Sequence, residues 1–218
     1  MGDVKTPRRG YHSPVRADAA LRTRRAIVAA ARELFLEHGY TAASLRAVAD
    51  LAGVARPTVT AAFGSKPALL RQILDEALAG DDEPVPVAQR PWFAPVLEAT
   101  DPAAVLDAYA GVCTLIGSRA ARMFEVVHRA AGDSPELTEL WATLGRNRRS
   151  GAEMVVRRAV ETGAVRDDIP ADHVVDSLWM FNDPALYTAL VVERGWPESG
   201  FTAWLAGQMR AAVLGRVA

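Results

Sequence analysis

Prolines follow a capping or aromatic residue at Asp101-Pro102, Ser134-Pro135, Asp183-Pro184 and Trp196-Pro197, and each pair reads as the start of a helix. The fixed φ of proline suits a first helical turn, where its missing N–H has no partner to lose, while the preceding residue is pushed out of the helical region. The apolar residues between these starts agree. Val112, Leu115 and Ile116, then Met123, Val127 and Ala131, recur at helical spacing. Leu137, Leu140, Trp141, Leu144, Met154, Val155 and Ala159 continue it from Ser134 to about Thr162, where Gly163 ends the run. Val174, Val175, Leu178 and Trp179 form one further stripe, Ala185, Leu186, Ala189 and Leu190 a second, and Phe201, Trp204, Leu205, Met209 and Val213 a third. No segment alternates in the manner of a strand and no repeat is present, so the chain reads as all-α.

One stretch, Ser44 to Phe63, carries more than architecture. Ser44 can cap a short helix with Leu45, Val48, Ala49 and Ala52 inward; Gly53 suits a turn; Pro57 fits the first turn of a second helix continued by Val59 and Phe63. Two helices crossing steeply need a small residue at their contact, a glycine in the turn and an apolar residue on the second helix. Ala49, Gly53 and Val59 meet those needs in order. Upstream, Ile27, Ala30, Ala31, Leu34 and Phe35 form one stripe ending at Gly39. Downstream, Ser65 caps a helix carrying Leu69, Leu70, Ile73, Leu74, Ala77 and Leu78.

Arg22 to Gly39, Ser44 to Phe63, then Lys66 and Leu69-Leu70 together resemble the N-terminal domain of the TetR (tetracycline-repressor) family of transcription regulators. The resemblance covers about Leu21 to Leu78. It implies an N-terminal three-helix helix-turn-helix domain followed by a C-terminal helical-bundle domain for dimerisation and ligand binding. It also implies a homodimer on a palindromic operator in double-stranded DNA, acting as a repressor released by a small effector. Four positions depart from the family pattern: Ala43 for a threonine, Ala55 for a serine, and Thr60 and Ala62 where aromatic residues normally touch phosphate. The DNA-contacting set expected here is Arg22, Thr23, Ser44, Arg46, Arg56, Pro57, Thr58, Thr60 and Lys66, with Lys66 a point charge on phosphate and Arg46 and Arg56 able to read base edges.

Charge supports the division. Residues 1 to 71 hold 12 Lys and Arg against 5 Asp and Glu, while the remainder is acidic and the whole chain carries a net charge of −1. A basic third suits a polyanion, and an acidic remainder discourages nonspecific coating of DNA. The expected domains are a mobile basic tail at 1–17, a DNA-binding domain at 18–80, a polar hinge at 81–90 containing Asp81-Asp82-Glu83-Pro84, and an effector and dimerisation domain at 91–218. The tail reads either as a minor-groove arm or as a solvated terminus.

Chemistry is not signalled. His12, His38, His128 and His173 lie far apart, Asp167-Asp168 flanks a turn, and no phosphate loop or nucleophile elbow is present, so no catalytic residue, metal or cofactor is expected. Cys113 is the only cysteine, which leaves no intrachain disulfide. Without an apolar leader or membrane span, the expected location is cytoplasmic.

Two further sites are expected. The dimer seam of the family lies on the last helices, here Pro184 to Arg194 and Pro197 to Leu214, with Leu186, Leu190, Phe201, Leu205 and Met209 on apolar faces that suit either a seam or burial within one chain. An apolar or aromatic effector is expected among Trp92, Met123, His128, Trp141, Arg148 and Met154, residues that also suit a plain core, with Arg148 bent to solvent or paired to an acid. The rival reading of the whole is a helical ligand- or partner-binding protein whose DNA binding is weakened or lost. A mobility shift on DNA adjoining the gene separates the two.

Overall fold

The computed structural model describes residues 14–215, and every regular element among them is helical: Pro14–Ala42 (α1), Leu45–Ala52 (α2), Arg56–Phe63 (α3), Lys66–Ala79 (α4), Ala94–Glu98 (α5), Pro102–Ala130 (α6), Pro135–Thr162 (α7), Ala171–Phe181 (α8), Pro184–Tyr187 (α9) and Glu198–Leu214 (α10). Short 3-10 turns at Val87–Gln89 and Pro91–Phe93 lead into α5, and a π-helical stretch, Thr188–Glu193, follows α9. Among the described residues no helix is long and apolar enough to cross a membrane.

The local signals act as physical chemistry requires. Ser44 Oγ accepts from Ala47 N–H at 3.0 Å, Ser65 Oγ from Ala68 at 3.2 Å, Asp101 Oδ1 from Ala104 at 2.9 Å and Ser134 Oγ from Leu137 at 3.3 Å. Each cap is worth about 1 kcal/mol to its helix. The expected tail at 1–17 is corrected at its end: α1 begins at Pro14, so residues 14–17 are helical, while residues 1–13 lie outside the described residues. Residues 184 to 194 are corrected too. The α-helix there stops at Tyr187 and continues as a π-helix, and the Tyr187 hydroxyl donates to Glu198 Oε1, tying this turn to the start of α10.

Two cores form, and they do not follow the sequence division at residue 80. In the first, Ile27, Phe35, Val48, Val59, Leu70 and Ile73 of the helix-turn-helix region pack with Met123, Phe124 and Val127 of α6 and with Leu137, Leu140 and Leu144 of α7. The second joins Phe93, Leu106, Tyr109, Val155, Leu178, Phe201, Leu205, Met209 and Val213. At about 1.5 Å per residue, α6 and α7 are each some 40 Å long and so reach through both cores. Gly117 is where α6 lets another element approach: a Cβ there would lie 2.6 Å from the Tyr187 ring.

The expected hinge is corrected to an anchored strap. Arg90, only 5% exposed, donates from Nε to Val85 O at 3.0 Å, from Nη2 to Glu83 O at 2.8 Å and from Nη1 to Asp81 Oδ2 at 2.6 Å. Asp82 on the same strap takes both Nε (2.8 Å) and Nη2 (3.0 Å) of Arg25 on α1. Residues that read as a polar hinge are held from both sides.

Candidate nucleic-acid interface and effector cavity

Helices α2 and α3 are joined by Gly53, whose φ of 67° and ψ of 32° lie in the left-handed region that a side chain would strain. Val54 N–H donates back to Ala49 O at 3.0 Å, and Val48, Ala49 and Val59 are all at most 1% exposed. The small residue, the glycine and the apolar residue therefore occupy contact, turn and second helix. With its inner face committed to Val59, α3 leaves Arg56, Pro57 and Thr60 exposed and Thr58 half-buried. Ser44 is exposed at the N-terminus of α2, where free N–H groups and the helix dipole favour phosphate. Arg46 is 83% exposed, with Nε 3.9 Å from Asp50, a surface pair of little strength.

Other basic residues of this region are already engaged. Arg24 stacks on Phe63 at 4.2 Å and donates to Ala62 O at 3.0 Å and to Gln72 Oε1 at 2.8 Å, which binds α1 to the end of α3 and to α4. Arg22 stays exposed and Thr23 half-buried beside it. Lys66 needs correction as a free point charge. Its ammonium sits 4.1 Å over the Tyr40 ring and donates to Thr41 O at 3.4 Å, and burial pulls its pKa below the usual lysine range. It fastens the start of α4 to the end of α1.

Behind α4 lies a cavity of about 850 Å³, with α4 on one side, the strap on a second, and α6, α7 and the α8–α9 turn on the others. Ligand pockets commonly span some 300 to 1,000 Å³. Its polar end is built on Arg148, 13% exposed and paired with Asp183 Oδ2 at 2.8 Å. Arg148 also donates to Asn182 Oδ1 and to Trp179 O, both at 3.1 Å, while the Asn182 amide donates to Tyr109 Oη at 2.9 Å and to Arg148 O at 3.0 Å. Burial pushes the Tyr109 hydroxyl well above the ordinary tyrosine range and the Cys113 thiol up to about 12.

The family profile described as "Bacterial regulatory proteins, tetR family" matches residues 27–73, and "Tetracyclin repressor-like, C-terminal domain" matches residues 100–206. The chain belongs to the TetR family. It is a DNA-binding transcriptional regulator with both of this family's domains. No curated protein matches the sequence. Among solved structures, the fold is shared with NalD of Pseudomonas aeruginosa, the secondary repressor of the MexAB-OprM multidrug efflux pump (20% identity, 90% of this chain and 98% of that one, TM-score 0.69). It is shared also with a regulator from Saccharomonospora viridis in complex with choline (19% identity, 90% and 100%, TM-score 0.67). A third is a TetR regulator from Chloroflexus aurantiacus (19% identity, 90% and 98%, TM-score 0.65).

For this TetR-family chain the cavity corrects the residue set expected from sequence. Arg148 and Met154 line it. Met123 is 1% exposed in the first core, and His128, exposed, stacks at 4.6 Å on Trp141, which packs against the same core. Trp92 lies under the Arg119 guanidinium at 5.6 Å and edge-on to Phe93. The residues missed were Tyr109, Cys113, Asn182, Tyr187 and the strap. Tyr109 and Cys113 stand four apart on one face of α6, a signal that was readable, whereas the strap's place in the wall depends on Arg90. With so high a pKa, Cys113 holds almost no thiolate at pH 8, and the thiolate is the reactive form. A disulfide reagent at pH 8 is therefore expected to leave the native protein unlabelled and to titrate one thiol after urea unfolding; rapid native labelling would show the site to be open and ionised.

Proposed function

We propose that the protein is a homodimeric repressor that binds a palindromic operator and is released by a small molecule entering the cavity behind α4. The observation that carries this reading is the shared wall: α4 lines the cavity, and only Gly64 and Ser65 separate α4 from α3. An occupant that favours one position of α4 thereby favours one spacing of the two recognition helices. Differential affinity of about 1 to 3 kcal/mol between those states is the usual size of allosteric coupling. Selection of duplexes from a random pool by the purified protein, followed by a mobility shift on DNA adjoining its gene, tests the first half. An absence of enriched palindromes would leave the rival ligand-binding reading in its place.

Dimerisation follows from reach. An eight-residue α3 is about 12 Å long, enough for roughly four base pairs, so useful specificity needs two copies about one helical turn apart. The seam is redrawn from the expected one. Phe201, Leu205 and Met209 are at most 2% exposed inside the second core, so Leu205→Glu would unfold the chain rather than separate a dimer, while Leu186 and Leu190 are only half-buried. The outward stripe of α10 is Gly200, Ala203, Gly207 and Ala211, small residues at three- and four-residue spacing that allow close helix approach, with exposed Met180 on the neighbouring α8. A Cβ at Gly207 would meet nothing within 4 Å, so Gly207→Glu leaves the fold intact. Sedimentation is expected to show wild-type dimers and Gly207→Glu monomers; a folded variant that stays dimeric would place the seam elsewhere.

A further inference from the structure

The cavity wall is electrically uneven. Six carboxylates border it, Asp75, Glu76, Asp81, Asp82, Glu83 and Asp183, against the guanidinium groups of Arg24 and Arg148. Three of the six are matched by a cation: Asp81 by Arg90 at 2.6 Å, Asp82 by Arg25 at 2.8 Å and Asp183 by Arg148 at 2.8 Å. Glu76 accepts only the neutral amide of Gln72, at 2.8 Å. Asp75 and Glu83 make no ion pair among the described residues; Arg71, one turn before Asp75 and exposed, supplies the nearest positive field. Arg24 is turned to Phe63, Ala62 O and Gln72, and Arg148 is neutralised by Asp183, so neither is free for an anion.

The arrangement has a direction. Asp75, Asp81 and Glu83 are exposed and so stand at the mouth, whereas Phe93, Tyr109, Phe124, Tyr187 and Phe201, all below a tenth exposed, form the floor. Aromatic faces carry the negative end of their quadrupole and attract cations. Carboxylates at a partly desolvated mouth attract a cation and repel an anion more strongly than in bulk water. Resting on the reading of this cavity as the effector site, we propose that its ligand class is the amphiphilic organic cation. An apolar or aromatic body occupies the floor, and an ammonium or delocalised positive centre lies toward Asp75, Glu76 and Glu83.

Tetraphenylphosphonium and tetraphenylborate share a shape and differ in the sign of charge, so calorimetric titration of the full-length protein with each reads the preference directly. The expected result is a cation bound at least about tenfold more tightly than the anion. Asp75→Asn combined with Glu83→Gln, both exposed and outside the cores, is expected to shrink that ratio to about threefold or less. Gly151→Leu sends a side chain into the cavity from a position where a Cβ meets only Tyr109 Oη, at 3.9 Å, and is expected to abolish binding of both probes. Equal or inverted affinities in the wild type, or a preference untouched by the double substitution, overturn the cation class while Gly151-sensitive binding keeps the cavity as a ligand site. If neither probe binds, or binding ignores Gly151→Leu, the effector cavity falls together with the proposal.

Discussion

Arg56→Ala is expected to weaken operator binding about five- to 150-fold, and to do so at one base pair rather than uniformly. Arg56 opens α3, is exposed, and makes no ion pair among the described residues, so its guanidinium is available without giving up a partner. A bidentate contact to guanine is worth roughly 1 to 3 kcal/mol, which is that range of affinity. Arg46 must first leave Asp50, but at 3.9 Å and with both side chains largely exposed that pair costs little to break. Arg46→Ala should therefore approach the same range at a different position. Lys66→Ala acts otherwise. Removing the ammonium from Tyr40 and Thr41 loosens the junction of α1 with α4, so affinity for all duplexes should fall alike, with a lowered melting temperature. Mobility shifts on the selected operator and single-pair variants check the pattern; unchanged operator binding in both arginine variants would remove α3 and Arg46 from the groove.

Arg90→Leu is expected to lower the unfolding free energy by about 3 kcal/mol. Asp81 is 44% exposed and can rehydrate once its partner is gone. The carbonyls of Val85 and Glu83 instead lose their charged donor, and hydrogen bonds to charged groups contribute about 1.5 to 3 kcal/mol each. For a chain of this size the melting temperature should fall by roughly 6 to 12 °C. Asp81→Asn removes only the exposed end and should cost under about 1 kcal/mol. A loss below 1 kcal/mol for Arg90→Leu in urea titrations would show that the strap is held by something else. The acid response has a definite sign. The Glu83 N–H chiefly holds the Asp81 carboxyl below the usual carboxylate range, and Arg25 does the same for Asp82. Their contribution is whole above the ordinary carboxylate pKa of about 4 and is lost as the pH falls through the depressed values.

The extent to which the cavity was readable divides by the range of the causes. Arg148 and Met154 fell on it because one lies on an otherwise apolar stripe and the other at helical spacing on the same helix. Met123 and Trp141 satisfied the same pattern and pack in the first core instead, while His128 is exposed and stacks on Trp141. Periodicity says that a side chain faces inward, yet α6 and α7 run through two cores, and it cannot say which one a given turn enters.

What the sequence alone determined is whatever short-range stereochemistry controls. Proline and serine or aspartate caps located the starts of α6 and α7, Gly53 set the turn between α2 and α3 through its left-handed φ, and Ala49 and Val59 marked the crossing of those helices. The family followed from the same stretch. What only the tertiary structure decided depends on groups far apart along the chain. Arg24 is engaged by Gln72 and Arg25 by Asp82, and Lys66, expected on phosphate, sits over Tyr40. The charged segment after α4 became an anchored wall because Arg90 is buried beneath it. Phe201, Leu205 and Met209 went to the core rather than the seam because α6 and α8 cover that face of α10. Local propensity fixes dihedral angles within a turn or two, whereas the partner of a charge, or of one face of a helix, is chosen by packing between elements up to about a hundred residues apart, as Arg210 and Asp107 show with a 2.6 Å ion pair.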